Sequence, residues 1–174
     1  MKILKLVLVV LFLMMVSCGE DDNDFSLITD FKTSKAKWEQ QKSIHGNSYT
    51  YQTTFISWTG YRTMTELTIK DGIVISRLYE AFEINGPNGQ KEIIDSYFEQ
   101  GTDLGSNENG ANLLTIDQLY DSCISDYLTA GTKDNKLYFE AKLDGTMSTC
   151  GYVPNGCVDD CFFGVQINSI IWTN

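Results

Sequence analysis

Five cysteines are the residues in this chain best suited to do chemistry. Cys18 lies alone near the start, and the other four follow a hundred residues later, at Cys123, Cys150, Cys157 and Cys161. A thiol can form a disulfide, bind a metal, act as a nucleophile or carry a lipid, and its surroundings decide among these. Cys18 and the later four have different surroundings, so they are interpreted separately.

Cys18 follows a short leader that is basic at its start and apolar afterwards. Lys2 and Lys5 supply the positive charge, residues 3–16 are otherwise almost wholly apolar, and the small residue Ser17 comes directly before the cysteine. The apolar run is shorter than the roughly 20 residues that a transmembrane helix needs. This order of features is typical of a secretory signal that is removed from the mature protein.

The four residues Met15-Val16-Ser17-Cys18 resemble the lipobox of bacterial lipoproteins. The resemblance implies that residues 1–17 are a signal peptide, that the Cys18 thiol receives a diacylglyceryl group, and that the new amino terminus is acylated. Stable anchoring needs more than one chain, because each buried lipid CH₂ contributes only about 0.8 kcal/mol. The alternatives are an uncleaved signal anchor and a secreted protein in which the cysteine is a coincidence.

An acidic segment, Gly19-Glu20-Asp21-Asp22-Asn23-Asp24, comes directly after the cysteine. Because like charges repel, residues 18–29 are predicted to be a solvated tether, and residues 30–174 a single folded domain. The segment also resembles the surface-export signal of Bacteroidetes lipoproteins. That resemblance implies an outer-membrane lipoprotein exposed at the cell surface, and a lipoprotein facing the periplasm is the alternative.

The charge and composition narrow the function classes. Removing residues 1–17 takes away two lysines and no acids, so the formal charge of −10 becomes −12 on the remaining 157 residues. A domain this acidic repels nucleic acid, which is therefore not expected as a partner. Aromatic residues make up 12% of the chain and there are only two prolines, which favours a sheet-rich globular fold.

Hydrophobic periodicity predicts two helices. The first is expected over residues 24–41 and ends at His45-Gly46-Asn47, which makes His45 a surface or capping residue. The second, over residues 115–130, begins with a capping box formed by Thr115 and Gln118. Its apolar residues recur at helical spacing, so this helix is expected to pack across a sheet.

Strands are predicted where apolar and polar residues alternate or β-formers cluster. The expected strands are 48–58, 61–70, 73–84, 91–100, 136–143 and 162–173. Residues 91–100 also fit one helical face, and strand is preferred because hairpins surround them. Asp71-Gly72 predicts a type I′ turn. The resulting fold class is α+β, an antiparallel sheet of about five to six strands with two helices, one of them (115–130) packed across the sheet.

The four later cysteines are expected to form disulfides, because their number is even and the protein is expected to be exported. Three pairings are possible. Cys150, Cys157 and Cys161 share one predicted loop, so at least one bridge lies within that loop, and a bridge to Cys123 pins the loop to the helix. A Cys₄ zinc site is the alternative, but the paired C-x₂₋₄-C spacing that zinc favours is incomplete here.

The sequence gives little support for other metal sites or for a catalytic site. Asp103, in the loop 101–112, begins no EF-hand, because glycine is missing from the required position and Leu114 stands where a bidentate glutamate belongs. Asp159 and Asp160 suit a solvated turn better than a cation site. With one histidine, no G-x-S-x-G and no HExxH, no catalytic set, metal site or cofactor is predicted.

A further set of motifs resembles a family of small bacterial lipoprotein domains of unknown function. They are Trp38, Tyr49-x-Tyr51, Asp71-Gly72 before Ile73-Val74-Ile75, the segment TIDQLYD over 115–121, and Gly164-Val165-x-Ile167. TIDQLYD is the most specific of them. The family usually carries a cysteine pair near residues 55–61, and this chain has none there. The resemblance implies a sheet with helices and no catalytic residues.

Three functions follow as hypotheses. The first is a non-enzymatic, membrane-tethered module that binds an envelope protein, peptide or glycan. Five aromatic residues could serve it or could be core: Tyr49, Tyr51, Trp58, Tyr61 and Tyr79. The second is a structural or assembly partner of an envelope complex. The third is a carboxylate-based hydrolase using acids such as Glu66, Glu80 and Glu83, which needs two carboxyls about 5–9 Å apart in a cleft.

Overall fold

A long helix, α1 (Asp22–His45), precedes the sheet. The computed structural model describes residues 22–85 and 88–173 of the chain. The leader and Cys18 lie outside the described residues. Residues 22–29, expected to be part of a solvated tether, are helical, and Leu27 and Ile28 pack partly against the core.

Seven strands form one antiparallel sheet in the spatial order β4-β3-β2-β1-β7-β6-β5. The strands are β1 (Tyr49–Ile56), β2 (Arg62–Lys70), β3 (Ile73–Asn85), β4 (Gln90–Gln100), β5 (Asn135–Ala141), β6 (Met147–Pro154) and β7 (Phe163–Trp172). The chain thus enters the middle of the sheet, runs out to one edge through β4, and returns inward from the other edge. The α+β class is confirmed, as is the strand assignment of residues 91–100.

The predicted count of five to six strands is too low because the sequence pattern places the β6 residues in a loop. Its sequence, MSTCGYVP, has no clear alternation, since Gly151 interrupts it. That glycine and Gly164 of β7 let the two strands approach closely. A Cβ on Gly151 would lie 2.4 Å from the Phe163 carbonyl oxygen, and one on Gly164 would lie 2.2 Å from that of Cys150.

The second helix, α2 (Ile116–Ser122), is shorter than the predicted 115–130. The capping box of Thr115 and Gln118 is present. After Ser122 the chain continues as a wider turn over Cys123–Tyr127, in which the Leu128 N–H donates to the Cys123 carbonyl at 2.9 Å. Such a one-turn widening ends the regular helix and changes the direction of the chain.

Both helices lie on one face of the sheet, here called the inner face. The Tyr49 hydroxyl accepts from the Ile116 N–H at 3.0 Å, and the Tyr51 hydroxyl donates to the Leu114 carbonyl at 2.6 Å. The Tyr120 hydroxyl lies 2.7 Å from Ser34 Oγ on α1 and accepts from the Met147 N–H at 2.8 Å. Three buried tyrosines thus join helices and sheet through satisfied polar contacts, which a buried hydroxyl requires.

The turn at Asp71-Gly72 has positive φ at both residues, 51° and 80°, as the type I′ prediction requires. It lies at the end of the sheet where β1 starts, here called the base. At the base, Trp172 stacks between Trp38 and His45, with ring centroids 5.2 Å away on each side. Its partner His45 is exposed, in agreement with its predicted surface position.

Candidate functional site

Four cysteines form two disulfides, and the pairing that the sequence left open is thereby decided. Cys123 joins Cys150 with a Cα–Cα distance of 5.8 Å, and Cys157 joins Cys161 at 6.3 Å. One bridge is local, as expected, and the other joins the second helical segment to β6 and not to a loop. Cys150 differs from expectation in lying on the inner face of β6 and not in a loop, so this bridge crosses the core. A disulfide sulfur has no thiolate to offer zinc.

Three of the five aromatic residues considered for binding are core. Tyr49 and Tyr51 are fully buried and Tyr79 is 4% exposed. Period-two alternation puts them on the inner face, where helices and loops cover the sheet. Tyr61 is half-buried, whereas Trp58 is 76% exposed. Only Trp58 of this set has its ring largely in solvent.

Trp58 lies in the turn between β1 and β2, and a neighbouring loop holds that turn. Asp160 accepts hydrogen bonds from Ser57 Oγ at 2.6 Å and from the Trp58 N–H at 3.1 Å. Asp160 itself lies in the small loop that the Cys157–Cys161 disulfide closes. The turn also has its own bond from the Ser57 N–H to the Tyr61 carbonyl at 2.8 Å. The turn that carries the exposed indole is therefore held both by Asp160 and by its own backbone hydrogen bond.

A groove of about 270 Å³ opens on the inner face at the same end of the sheet as Trp58. This end, opposite the base, is here called the mouth. The groove is lined by threonines, aromatic rings and backbone: Thr53, Phe55, Thr63, Thr65, Tyr79, Gly110, Ala111 and Val165. Phe55 is 40% exposed. The threonine hydroxyls offer donors and acceptors without charge, beside an accessible ring.

The loop over residues 105–111 forms one wall of the groove, and a buried ion pair holds it. Arg77 of β3 pairs with Glu99 of β4, and both side chains are at most 5% exposed. Arg77 also donates to the carbonyls of Asn107 at 2.7 Å and Ala111 at 2.9 Å. Glu99 Oε2 accepts from the N–H groups of Gly105 at 2.8 Å and Ser106 at 2.9 Å. Nearly every polar atom of the pair thus contacts the other partner or the loop.

Burial on its own raises the pKa of Glu99, since it disfavours a charged carboxylate. The hydrogen bonds from Arg77 and from the loop N–H groups outweigh burial and hold the pKa below its ordinary value. No sequence pattern described above predicts this pair. Its one visible signal is that Arg77 has the same phase along β3 as Tyr79 and Ala81, both inward-facing.

A tyrosine cluster borders the groove. Tyr79 stacks on Tyr97 with ring centroids 5.2 Å apart, and its hydroxyl lies 3.5 Å from that of Tyr61. The Tyr97 hydroxyl donates to the Asn109 carbonyl. Burial, and then the hydrogen bond with Tyr61, raise the pKa of Tyr79, so its hydroxyl stays neutral. The cluster adds hydroxyl groups near the groove without adding charge.

The carboxylates considered for a hydrolase do not meet in the groove. Glu66 accepts a hydrogen bond from Gln52 at 2.7 Å, and Glu80 pairs with Lys91 at 2.5 Å. Both lie out of phase with the inward-facing residues of their strands and so face away from the helices. Glu83 is on the inner face but does not line the groove. Within the described ranges no cluster of three or more His, Cys, Asp or Glu residues is arranged for a metal ion.

No protein family, no curated protein and no solved structure matches this chain. In the part of the chain that the structure describes, no helix combines the length and apolarity needed to cross a bilayer. The mouth, with Trp58 in the β1–β2 turn and the threonine-lined groove at the same end of the sheet, is therefore assigned as the candidate site from geometry alone.

Proposed function

We propose that the protein is a bacterial outer-membrane lipoprotein, anchored through Cys18, whose domain is a non-enzymatic module that binds a glycan at the mouth. It is further proposed to belong to the small lipoprotein domain family that its TIDQLYD segment resembles. The observation that carries the binding function is Trp58, an indole 76% exposed on a turn that Asp160 and a disulfide loop brace. A large ring held in water without packing is typical of a contact surface.

The chemistry of the mouth favours a glycan over a charged or fully apolar ligand. Sugar C–H faces pack against aromatic rings, and sugar hydroxyls need neutral donors and acceptors. Phe55 and Trp58 supply the rings, and the hydroxyls of Thr53 and Thr63 supply the polar groups. The groove of about 270 Å³ is close to the lower end of the usual range for ligand sites, so it suits one or two sugar units.

Two features support the proposed location outside the cytoplasm. The leader and the lipobox-like residues support a lipid on Cys18, and two disulfides suit an oxidising compartment. Because α1 begins at Asp22, only three residues separate it from Cys18. Four residue steps reach about 14 Å at most. The anchored domain would therefore start close to the membrane surface.

Replacing Trp58 with alanine tests the binding site. We expect the wild-type mature protein to bind selected members of a bacterial glycan array, and W58A to bind them at least tenfold more weakly, equivalent to about 1.4 kcal/mol. Because the ring is largely solvated, the unfolding midpoint should hardly change. Isothermal titration with the best array ligand measures the affinity.

Ile73→Ala is the matched control for Trp58→Ala. Ile73 is 67% exposed and lies beside the Asp71-Gly72 turn, at the base. I73A should bind the glycan as the wild-type protein does. Equal affinities of W58A and wild-type protein, or no glycan bound by the wild-type protein, would show that the proposed function is wrong.

Replacing Cys18 with alanine tests the anchor. Cells expressing the wild-type chain and fed labelled palmitate should yield a labelled product that lacks residues 1–17 and sediments with membranes. C18A should carry no label. C161A, which removes a different cysteine, should keep the label. A wild-type product that retains Met1 and carries no label would refute the lipoprotein assignment, while leaving the glycan site open to its own test.

A further inference from the structure

Strand β4 forms one edge of the sheet, and its outward backbone groups have no partner in the described part of the chain. β4 pairs with β3 only. Among the described residues, no backbone–backbone hydrogen bond outside the strand ladders involves residues 90–100. The strand is 11 residues long, about twice the usual length. A long unpaired edge is a template on which another strand can add.

Two side chains of β4 on the outer face, away from the helices, are large, apolar and exposed. Phe98 lies opposite Leu78 of β3, and Ile93 lies opposite Phe82. Phe98 is 58% exposed and Ile93 is 45% exposed. The two pairs, here called the outer strip, reach the free edge and are separated by the polar pair Glu80 and Ser96. A strand added at the edge would cover part of this strip and gain burial from it.

The usual protections of an edge strand are weak here. Lysines commonly guard such edges, but the single lysine of β4, Lys91, is bound to Glu80 at 2.5 Å and lies 4.3 Å from the Phe82 ring centroid. A bulge occurs at Ile94, yet Asp95–Gln100 pair with β3 in unbroken register. Six consecutive residues thus present a regular, open edge.

The inner-face side of β4 is acidic. Glu92 and Asp95 point to that face, and Glu83 lies directly opposite Glu92 on β3. Neither Glu83 nor Asp95 has a cationic partner among the described residues. Side chains alternate between faces along any added strand. The complementary segment therefore has apolar residues toward the outer strip and basic residues toward the acids.

A second copy of this chain fits the edge poorly. Two β4 strands pairing antiparallel would bring the acids Glu92 and Asp95 of one copy close to the same acids of the other. Like charges on directly opposed residues destabilise a strand pair. The mature chain as a whole carries a formal charge of −12, which adds repulsion between copies.

We infer that β4 is a docking strand for an extended segment of another polypeptide in which basic residues alternate with apolar ones. The segment would add to the sheet as an eighth strand, with main-chain hydrogen bonds giving affinity and alternate side chains giving selectivity. This partner site is separate from the glycan site at the mouth and goes beyond the proposed function.

A synthetic ten-residue peptide alternating lysine and valine is the probe. We expect the mature protein to bind it saturably, and hydrogen exchange to slow at the backbone amides of residues 90–100. A second peptide has the same side chains, but its edge-facing amides are N-methylated. It should bind at least tenfold more weakly, because it cannot complete the ladder. This comparison requires no change to the protein.

Charge reversal on the strand provides the second measurement. Glu92→Lys with Asp95→Lys should weaken peptide binding at least tenfold. Asp134→Lys with Glu140→Lys makes the same charge change at the other edge of the sheet and should leave binding within twofold. The unfolding midpoint of each variant confirms that it folds.

Three outcomes would overturn the docking strand. One is equal binding of the methylated and unmethylated peptides, and another is slowed exchange away from residues 90–100. The third is a dimer in sedimentation without peptide, with residues 90–100 protected, which would make a second copy the occupant. W58A should bind the peptide as the wild-type protein does, because Trp58 lies at the mouth and not on β4. A negative result in the peptide test therefore leaves the glycan site untouched, and a negative result in the glycan test leaves the docking strand untouched.

Discussion

Replacing Arg77 with alanine is expected to lower the free energy of unfolding by about 3–5 kcal/mol, because it leaves the Glu99 carboxylate buried without its cation. Glu99 is 2% exposed, so water cannot replace the guanidinium without opening the structure. The variant also loses the bonds from Arg77 to the carbonyls of Asn107 and Ala111. Urea unfolding followed by fluorescence measures the change.

A double variant separates the ion pair from the loop. Arg77→Met with Glu99→Leu removes both charges and keeps similar volumes, so most of the lost stability should return. The loop over 105–111 would still lack its anchors, and its amides should exchange faster than in the wild-type protein. A double variant as unstable as Arg77→Ala would show that the unpaired carboxylate is not the cause.

The pH dependence follows from the same carboxylate. Its pKa in the folded protein lies below the ordinary 4.5, since hydrogen bonds to the charged form outweigh burial. The unfolded chain therefore binds the proton more readily, and Glu99 contributes its full stability above that ordinary value. The contribution is lost as the pH falls through the folded pKa. Glu99→Gln should flatten the acid limb of stability against pH, and an unchanged acid limb would contradict this account.

Removing the Cys123–Cys150 disulfide is the second large effect expected. The bridge closes a loop of 27 residues, which in the chain-entropy model corresponds to about 3.5 kcal/mol. Both cysteines are fully buried, so Cys123→Ala with Cys150→Ala also loses packing. The midpoint of thermal unfolding should fall by about 10 °C, at roughly 3 °C per kcal/mol for a domain of this size. Calorimetry measures it.

The second disulfide provides the matched control. Cys157 and Cys161 are only four residues apart and lie in a surface loop, so Cys157→Ala with Cys161→Ala should lower the midpoint much less. It should instead loosen the loop that carries Asp160, and so weaken glycan binding through the Trp58 turn. Equal thermal effects of the two double variants would contradict the assignment of the core bridge as the main covalent stabiliser.

Local rules predicted much of the fold correctly. Alternation located β1, β2, β3 and β7, the positive-φ pair Asp71-Gly72 made the expected turn, and Thr115 with Gln118 started the second helix. Each of these depends on contacts within a few residues of sequence. β6 was missed because its signal is not local: Gly151 in that strand is explained only by Gly164 across the ladder.

The candidate site was predictable only in part. The sequence identified five aromatic residues for binding or core, but alternation by itself does not say which face the helices will cover. Because helices and loops cover the inner face, Tyr49, Tyr51 and Tyr79 belong to the core, whereas Trp58 remains exposed to water. The loop that braces Trp58 comes from Asp160, 102 residues later in the chain, and spacing along the sequence carries no sign of such a contact.

What the sequence by itself determined is the α+β class, the positions of most strands, and the even set of four cysteines that form disulfides. These follow from hydrophobic periodicity, from turn-forming residues and from the number of cysteines, all of which can be read directly from the sequence. Only the tertiary structure decided the disulfide pairing, the Arg77–Glu99 anchor of the groove wall, the braced Trp58 and the free edge of β4. Each of these joins residues far apart in the chain, or depends on which strand is left without a neighbour, and both are settled by packing rather than by local preference.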